Sequence, residues 1–523
     1  MNTFNTLDWV IVGLYCVGII SLATYVSRKE SGSERSAEDY FLAGRSLPWW
    51  AIGASLIAAN ISAEQIIGMS GQGFVVGMAI AVWELTAAIA LIVMAKYFLP
   101  LFLEKKIYTM PQFLEQRFDK RVSLVLSFFW LTVYIFVNLT AVLWLGSIAI
   151  NTLTGLSLTN GMILLAVLSL AYSLSGGLKA VAMTDIVQVV LLIFGGLAVS
   201  YIALSKIGDG FIFTGLVEVY NQMPEKFDMI LSADNPSYNN LPGIWILIGA
   251  GVWIGHFAYW GFNQYITQRA LGAKSLKEAQ KGVMFAAYLK LLMPLVIVLP
   301  GICAAVLFPI LEKTDQAYPT MMIELLPSGL LGLTFAALIA AIVSSLASMT
   351  NSISTIFTMD VCRSFSKNEI SQSNLIFIGR SAVIISMAIA LIMAKPILGN
   401  SDQIFQYIQN FTGLFTPGIL VIFLVALFWK KATTLSVLIA AILSVVMSIF
   451  IQAMFPEFPY IHRMGAVFFA SGLGCFFTSY LQGYKDQEKA IDLNGINFST
   501  SKAFNVNTLI IISVLTIIYV TLG

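Results

Sequence analysis

The chain has 523 residues, 58% of them hydrophobic and only 11% charged, and its 29 Lys and Arg offset 27 Asp and Glu to a net charge of +2. A mean hydropathy of +0.85 and less than half the roughly 25% charged residues of a soluble domain exclude water as its main solvent. Two histidines, four cysteines without metal-ligand spacing (Cys16, Cys303, Cys362, Cys475), and the lack of a P-loop or Gly-rich dinucleotide fingerprint leave no site for ATP-driven pumping or redox chemistry. An enzyme is not expected, and any work the chain does must draw on another energy source.

A helical span needs about 20 mostly apolar residues. The sequence predicts about fourteen, with none of the alternation of a barrel strand, so the fold class is an all-α integral membrane protein. The first span, 6–27, lacks a basic n-region and a cleavage site and reads as a retained helix; with its loop it forms an N-terminal extra segment, 1–47. Spans at 48–76, 79–103, 122–153, 158–176 and 180–206 make a first five-helix unit, 48–206. An acidic external loop, 207–242, follows, with Asp209, Glu218, Glu225, Asp228 and Asp234 against Lys226. Spans at 243–270, 281–309, 319–363, 372–396 and 402–429 make a second unit, 243–430, and 432–455, 461–482 and 504–522 are three C-terminal extra helices within 431–523. Five spans before the loop and five after it is the arithmetic of an inverted-repeat transporter, although no sequence repeat is visible.

Orientation follows from the basic residues. With the N-terminus outside, twenty-two of the 29 Lys and Arg fall in cytoplasmic connections, among them Arg28, Lys29, Arg35, Arg117, Arg269 and Lys367. Five fall outside and two, Lys96 and Lys290, within spans. Fourteen spans then return the C-terminus to the outside.

The first span of each unit looks interrupted. Asn60, Ser62, Glu64 and Gln65 cluster mid-span in one; Gly251, Gly255 and Gly261 surround His256, Tyr259, Trp260 and Asn263 in the other. Broken helices in corresponding positions point to a midplane substrate site, because unwound backbone is tolerated only where it is buried or lines a cavity. Segment 411–418, with Gly413 and Pro417, reads as a third irregularity.

Three ionisable side chains lie mid-span: Glu64, Glu84 and Lys290. Each is costly in hydrocarbon, so a functional role is the default, against the plainer reading of a structural ion pair. Gln65 and Met69 share a helical face, as do Phe405 and Gln409, and His256, Tyr259 and Asn263 follow at helical spacing. Aromatic, amide and thioether groups beside hydrogen-bonding ones suit a sugar, although any one of these aromatics alone reads as ordinary packing. The run Thr334–Ser348 carries Ser344 and Ser345 among small residues that also suit close helix packing; facing free carbonyls, two adjacent hydroxyls would make the all-oxygen cage that hard cations prefer.

Long, ordered stretches, FLAGRSLPWW (41–50), ASLIAANISAEQIIGMSGQG (54–73), YSLSGGL (172–178), YWGFNQYITQR (259–269), FAALIAAIVSSLAS (335–348) and FQYIQNFTGLFTPG (405–418), resemble the sodium:solute symporter family and, within it, the sodium/glucose cotransporter group. The resemblance covers nearly the whole chain. It implies a five-plus-five inverted-repeat core with flanking helices and alternating access. By matching position it implies sugar contacts at Asn60, Gln65, Glu84, Tyr259, Lys290 and Gln409, with His256 where the group has an Asn, and a lid of Met69, Trp83 and Phe405 over an inner gate at Tyr259. It further implies a sodium site of the Ala58, Ile61 and Ala341 carbonyls with the Ser344 and Ser345 hydroxyls, and Asp185 on the ion's cytoplasmic exit. His256, and Ala87 where the pattern has Ser, leave the preferred hexose open.

The function expected is secondary active symport of sodium with a neutral galactose- or glucose-like hexose in a plasma membrane, on the bacterial side of the family since the long external loop carries no sequon. The partners are then sugar, sodium and the bilayer, with no nucleic acid. The alternatives are symport of another small solute such as inositol, sialic acid or an amino acid, a sodium-independent uniporter, and a non-transporting sensor.

Overall fold

The computed structural model describes residues 4–27, 42–107, 109–366 and 369–523. Arg28, Lys29, Arg35 and Lys367 of the orientation count, and most of the first connection, lie outside the described residues. Within them every regular element is a helix, apart from an isolated bridge between Leu47 and Ala273.

In chain order the principal helices are α1 (Thr6–Ser27), α2 (Trp49–Asn60), α3 (Glu64–Val75), α4 (Met78–Glu104), α5 (Lys120–Thr154), α6 (Leu158–Ile207), α7 (Gly251–Phe262), α8 (Gln264–Leu271), α9 (Leu276–Leu307), α10 (Leu330–Phe365), α11 (Gln372–Leu398), α12 (Ile404–Thr412), α13 (Thr416–Phe428), α14 (Thr434–Met454), α15 (Tyr460–Leu481) and α16 (Lys502–Leu522). Among the described residues ten are long and apolar enough to cross a membrane, or twelve when the bent pairs α2–α3 and α12–α13 each count as one. The expected count of fourteen is not reproduced. The two stretches left over are α7–α8, interrupted at Asn263, and Leu158–Ala171, a shorter apolar piece of α6.

At 1.5 Å per residue the 50 residues of α6 would run about 75 Å, over twice a bilayer core. Its contacts show how it fits. Leu165 and Ile342 both abut Gly146, and Ser173 meets Thr350 at 3.3 Å. Asp185 then accepts from Ser344, and Gly195 lies against Thr334. The partners on α10 advance from 342 to 350 and then retreat to 344 and 334, so the two ends of α6 lie along α10 in opposite directions. Span 319–363 needs correction too: Ala317–Leu325 is a separate helix, and α10 starts at Leu330 after a turn in which Gly329 has φ of 86°. The "loop" 207–242 contains the helix Ile212–Gln222.

Each break is satisfied locally. Ile61 is extended, and α2 and α3 meet at 60°. Ser62 Oγ accepts from the Glu64 N–H at 3.2 Å, while Gln65 Oε1 accepts from the Ser62 N–H at 3.3 Å, so two backbone donors at the break are capped by nearby side chains. At the second break Asn263 is extended; the Tyr134 hydroxyl donates to Asn263 Oδ1 (2.6 Å) and accepts from the Gln264 N–H (3.1 Å). The expected irregularity at 411–418 is a 47° bend, where the Leu414 carbonyl accepts from Ser448 at 2.9 Å and the Gly418 N–H donates to Ser444 at 3.0 Å. Side chains thus replace the lost helical hydrogen bonds, as membrane-depth backbone requires.

Flanking elements brace this core. Asp8 on α1 accepts from the N–H groups of Gly329 (2.8 Å) and Gly332 (2.9 Å), two of the orphan donors at the start of α10. Lys226 donates to the Phe74 and Val75 carbonyls at 2.8 and 2.6 Å, closing the end of α3. Arg117, counted as a connection charge, is buried beyond the end of α13 and donates to the Ala426, Trp429 and Ala432 carbonyls.

Asp315 lies between spans in the short turn Thr314–Gln316, fully buried, and its Oδ2 accepts from the Ile404 N–H at 3.3 Å at the start of α12. Burial pushes its carboxyl up to about 7; the Ile404 N–H and Lys313 oppose the rise and Asp402 adds to it. Its folded pKa therefore exceeds the unfolded value near 3.9. Between those values the folded state binds more protons, so this group's contribution to stability falls as pH rises from about 4 to 7 and then levels off. Asp315→Asn removes that loss, on the order of a few kcal/mol at full extent. The melting temperature of the variant relative to the parent should rise between pH 5 and pH 8; a constant difference would refute the assignment.

Candidate functional site

The breaks in α2–α3 and α7–α8 face one cavity of about 120 Å³, many times the space one water needs. All seven residues expected to contact solute line it: Asn60 and Gln65 beside the first break, Glu84 on α4, His256 and Tyr259 on α7, Lys290 on α9 and Gln409 on α12. The expected lid residues Met69, Trp83 and Phe405 line it as well. Phe405 approaches so closely because position 68 is Gly; a Cβ there would sit 3.0 Å from the Phe405 Cβ.

A hydrogen-bonded chain crosses the cavity wall. The Lys290 ammonium donates to Glu84 Oε2 at 2.6 Å and to Asn60 Oδ1, and lies 5.2 Å from the centre of the Trp260 ring. Lys290 and Glu84 are 1% and 2% exposed, so each charge depends on the other: removing one partner of a buried pair strands a charge. Asn60 Nδ2 donates to the Tyr259 hydroxyl at 3.1 Å, which meets the Tyr265 hydroxyl at 2.6 Å.

Glu64 also lines the cavity, and its carboxyl hydrogen-bonds with Asn138, while Oε1 is buried without a hydrogen-bond partner. Asn138 escaped the sequence reading, although an amide mid-span in α5 was a usable signal. Thr86 escaped it too. Its hydroxyl donates to the Val82 carbonyl at 2.5 Å and so accepts from His256 Nε2 at 2.8 Å, holding the imidazole edge-on to Trp83. His256 thus borders the cavity with its Nε2 already committed to α4. Ala87 is buried and does not line the cavity.

Of the residues expected to hold sodium, Ala58 and Ser345 meet where α2 ends. The break frees carbonyls there, and the Ser345 hydroxyl lies 3.4 Å from both the Ala58 and Ala59 carbonyl oxygens. Ile61 is the extended residue of the break, and Ala341 precedes Ser344 and Ser345 by one turn, on the same face of α10. Ser344 donates its hydroxyl proton to Asp185, keeping its lone pairs. The donors are all oxygen, which suits a hard monovalent cation. Asp185 also accepts from Ser55, and the Arg269 guanidinium stands 3.7 Å away. Arg269, placed by the basic-residue distribution in a connection, is instead 1% exposed; at the end of an apolar stretch its charge gave only a weak signal of this.

The sodium:solute symporter family model matches residues 40–443. The chain is 46% identical to a sodium/glucose cotransporter of Vibrio parahaemolyticus, over 98% of this chain and 97% of the relative. It is 31% identical to the human sodium/myo-inositol cotransporter 2, over 81% of this chain and 66% of the relative. Its fold is similar to that of a Na+-coupled sialic acid symporter solved in a substrate-bound outward-open state, with a TM-score of 0.79 at 22% identity, covering 91% of this chain and 98% of that one.

Proposed function

The chain belongs to the sodium:solute symporter family, multi-pass membrane transporters that carry sodium together with a solute, and from that premise we propose that the solute is a neutral hexose taken up by alternating access. One observation carries this reading. Among the described residues the only lysine in the cavity wall is neutralised by Glu84, and no arginine lines the cavity. What faces the solute is amide, hydroxyl and aromatic: Asn60, Gln65 and Gln409 beside Tyr259 and Trp260. Amides both donate and accept, as sugar hydroxyls do, and an aromatic face suits the apolar side of a pyranose. A sialic acid or amino acid carboxylate would want a cation whose charge is not already offset, whereas the Lys290 charge is paired with Glu84, which leaves its third N–H to donate to a neutral hydroxyl. The glucose cotransporter of Vibrio parahaemolyticus, similar over nearly the full length, supports the same class. A cyclic polyol such as inositol shares this chemistry, as the name of the human relative suggests.

In this reading Asn60, Gln65, Glu84, His256, Tyr259, Lys290 and Gln409 form the sugar site, Met69, Trp83 and Phe405 its outer lid, and Tyr259 its inner gate. Sodium sits among Ala58, Ile61, Ala341, Ser344 and Ser345, with Asp185 on its way out. The two five-helix units, 48–206 and 243–430, rock about the paired breaks, with both termini outside a bacterial inner membrane. Each sodium gains about 2.3 kcal/mol at 100 mV, and a tenfold gradient adds about 1.4 kcal/mol, enough for roughly a few-hundred-fold accumulation per ion. Uptake of labelled galactose, glucose and myo-inositol into proteoliposomes, with and without an inward sodium gradient, tests this. Accumulation of a hexose only with the gradient is expected. Uptake indifferent to sodium, or selective for inositol or sialic acid, would overturn the assignment.

A further inference from the structure

We infer that Arg269 is the positioning residue through which sodium binding raises sugar affinity; the inference rests on the symport reading above. Arg269 lies on α8, one and a half turns past the break at Asn263. Its guanidinium holds four elements at once. Nε donates to the Ser55 carbonyl on α2 at 3.0 Å, Nη1 to the Tyr265 carbonyl on α8 at 2.6 Å and Nη2 to the Ser348 hydroxyl on α10, while Asp185 on α6 stands 3.7 Å away.

Towards the ion, Ser344 is held from both sides. Its hydroxyl donates to Asp185, and its carbonyl accepts from Ser348 at 2.7 Å. Towards the solute, Tyr265 precedes Arg269 by one turn, and its hydroxyl meets Tyr259 at 2.6 Å; Tyr259 accepts from Asn60, which accepts from Lys290. Hydrogen bonds, the short α8 turn and the Arg269–Asp185 ion pair thus form a continuous path from the cation hydroxyl to the Glu84–Lys290 pair.

The charge makes Arg269 more than a strut. A sodium ion at Ser344 shares Asp185 with the guanidinium, so two cations compete for one buried carboxylate. Ion binding then loosens the hold of Asp185 on α8 and lets Tyr265 and Tyr259 reset around the sugar. A planar fork with five donors transmits that change in direction as well as in strength.

Coupling energy, rather than adjacency, decides such a path. The experiment is equilibrium binding of labelled hexose to the purified full chain, in sodium and with potassium in its place. For the parent, sodium should raise affinity within the 5- to 150-fold range usual for coupled sites. Arg269→Lys should reduce that ratio to about threefold or less while leaving affinity in potassium within about twofold. Tyr265→Phe keeps the backbone carbonyl that Arg269 uses and loses only the hydroxyl. It should reduce the ratio likewise, and the double variant no further, the signature of one shared path. It decides the matter alone if Arg269→Lys is not recovered folded. A ratio retained in either variant, or affinity lost equally in both cations, overturns the inference. A parent protein without any sodium effect instead overturns the symport reading.

Discussion

Replacing Ser345 with alanine is expected to abolish sodium-dependent uptake while the helix bundle stays folded. The hydroxyl's own hydrogen bonds are long, 3.4 Å to each of the Ala58 and Ala59 carbonyls, so they contribute little to stability. Alanine is also the best helix former. In the proposed ion site the same oxygen is one of five ligands to sodium. A hydrogen bond to a charged group contributes about 1.5–3 kcal/mol, and an ion–oxygen contact of that order corresponds to roughly a 10- to 150-fold loss of sodium affinity. Uptake measured against sodium concentration checks this. A half-saturating concentration equal to that of the parent would remove Ser345 from the ion site, and a collapsed melting curve would make its role structural.

The second large effect concerns Lys290 and Glu84. Lys290→Ala leaves a carboxylate in a wall where it is 2% exposed, and breaking a buried pair in this way costs about 3–5 kcal/mol. Both thermal stability and hexose uptake should fall sharply. The double variant Glu84→Gln, Lys290→Met separates structure from recognition. Replacing a buried pair by neutral groups of similar volume is often neutral, so its melting temperature should return most of the way to that of the parent. Uptake should stay at least about a hundredfold down, because the solute then lacks the charged acceptor and the ammonium donor. Recovery of uptake together with stability would show the pair to be only a helix tie, the plainer reading that the sequence left open.

Several of these residues could be found from sequence because their signal is local. Glu84 and Lys290 stand out against apolar neighbours, and the cost of a charge in hydrocarbon is a property of the stretch that contains it. The first break is legible for a related reason: Ser62 and Gln65 close their capping pattern within four residues. Arg269, Thr86 and Asn138 carried weaker local signals, and their partners lie far away in the chain. His256 meets Thr86 across 170 residues and Lys290 meets Asn60 across 230. The expected fourteen spans are not all reproduced as separate helices, and how the two ends of α6 lie along α10 shows only in contacts between distant residues.

By itself, then, the sequence determined an all-helical membrane protein of the sodium:solute symporter kind, the places where its helices break, and the polar residues at membrane depth. Solvent, backbone hydrogen bonding and side-chain chemistry all act over one or two turns and leave their mark in order along the chain. Only the tertiary structure decided that Glu64 answers to Asn138, that His256 is turned to Thr86, and that a buried arginine beside Asp185 joins the two breaks. Those pairings are set by which faces of distant helices come together, and helical periodicity shows that a face exists without naming what lies against it.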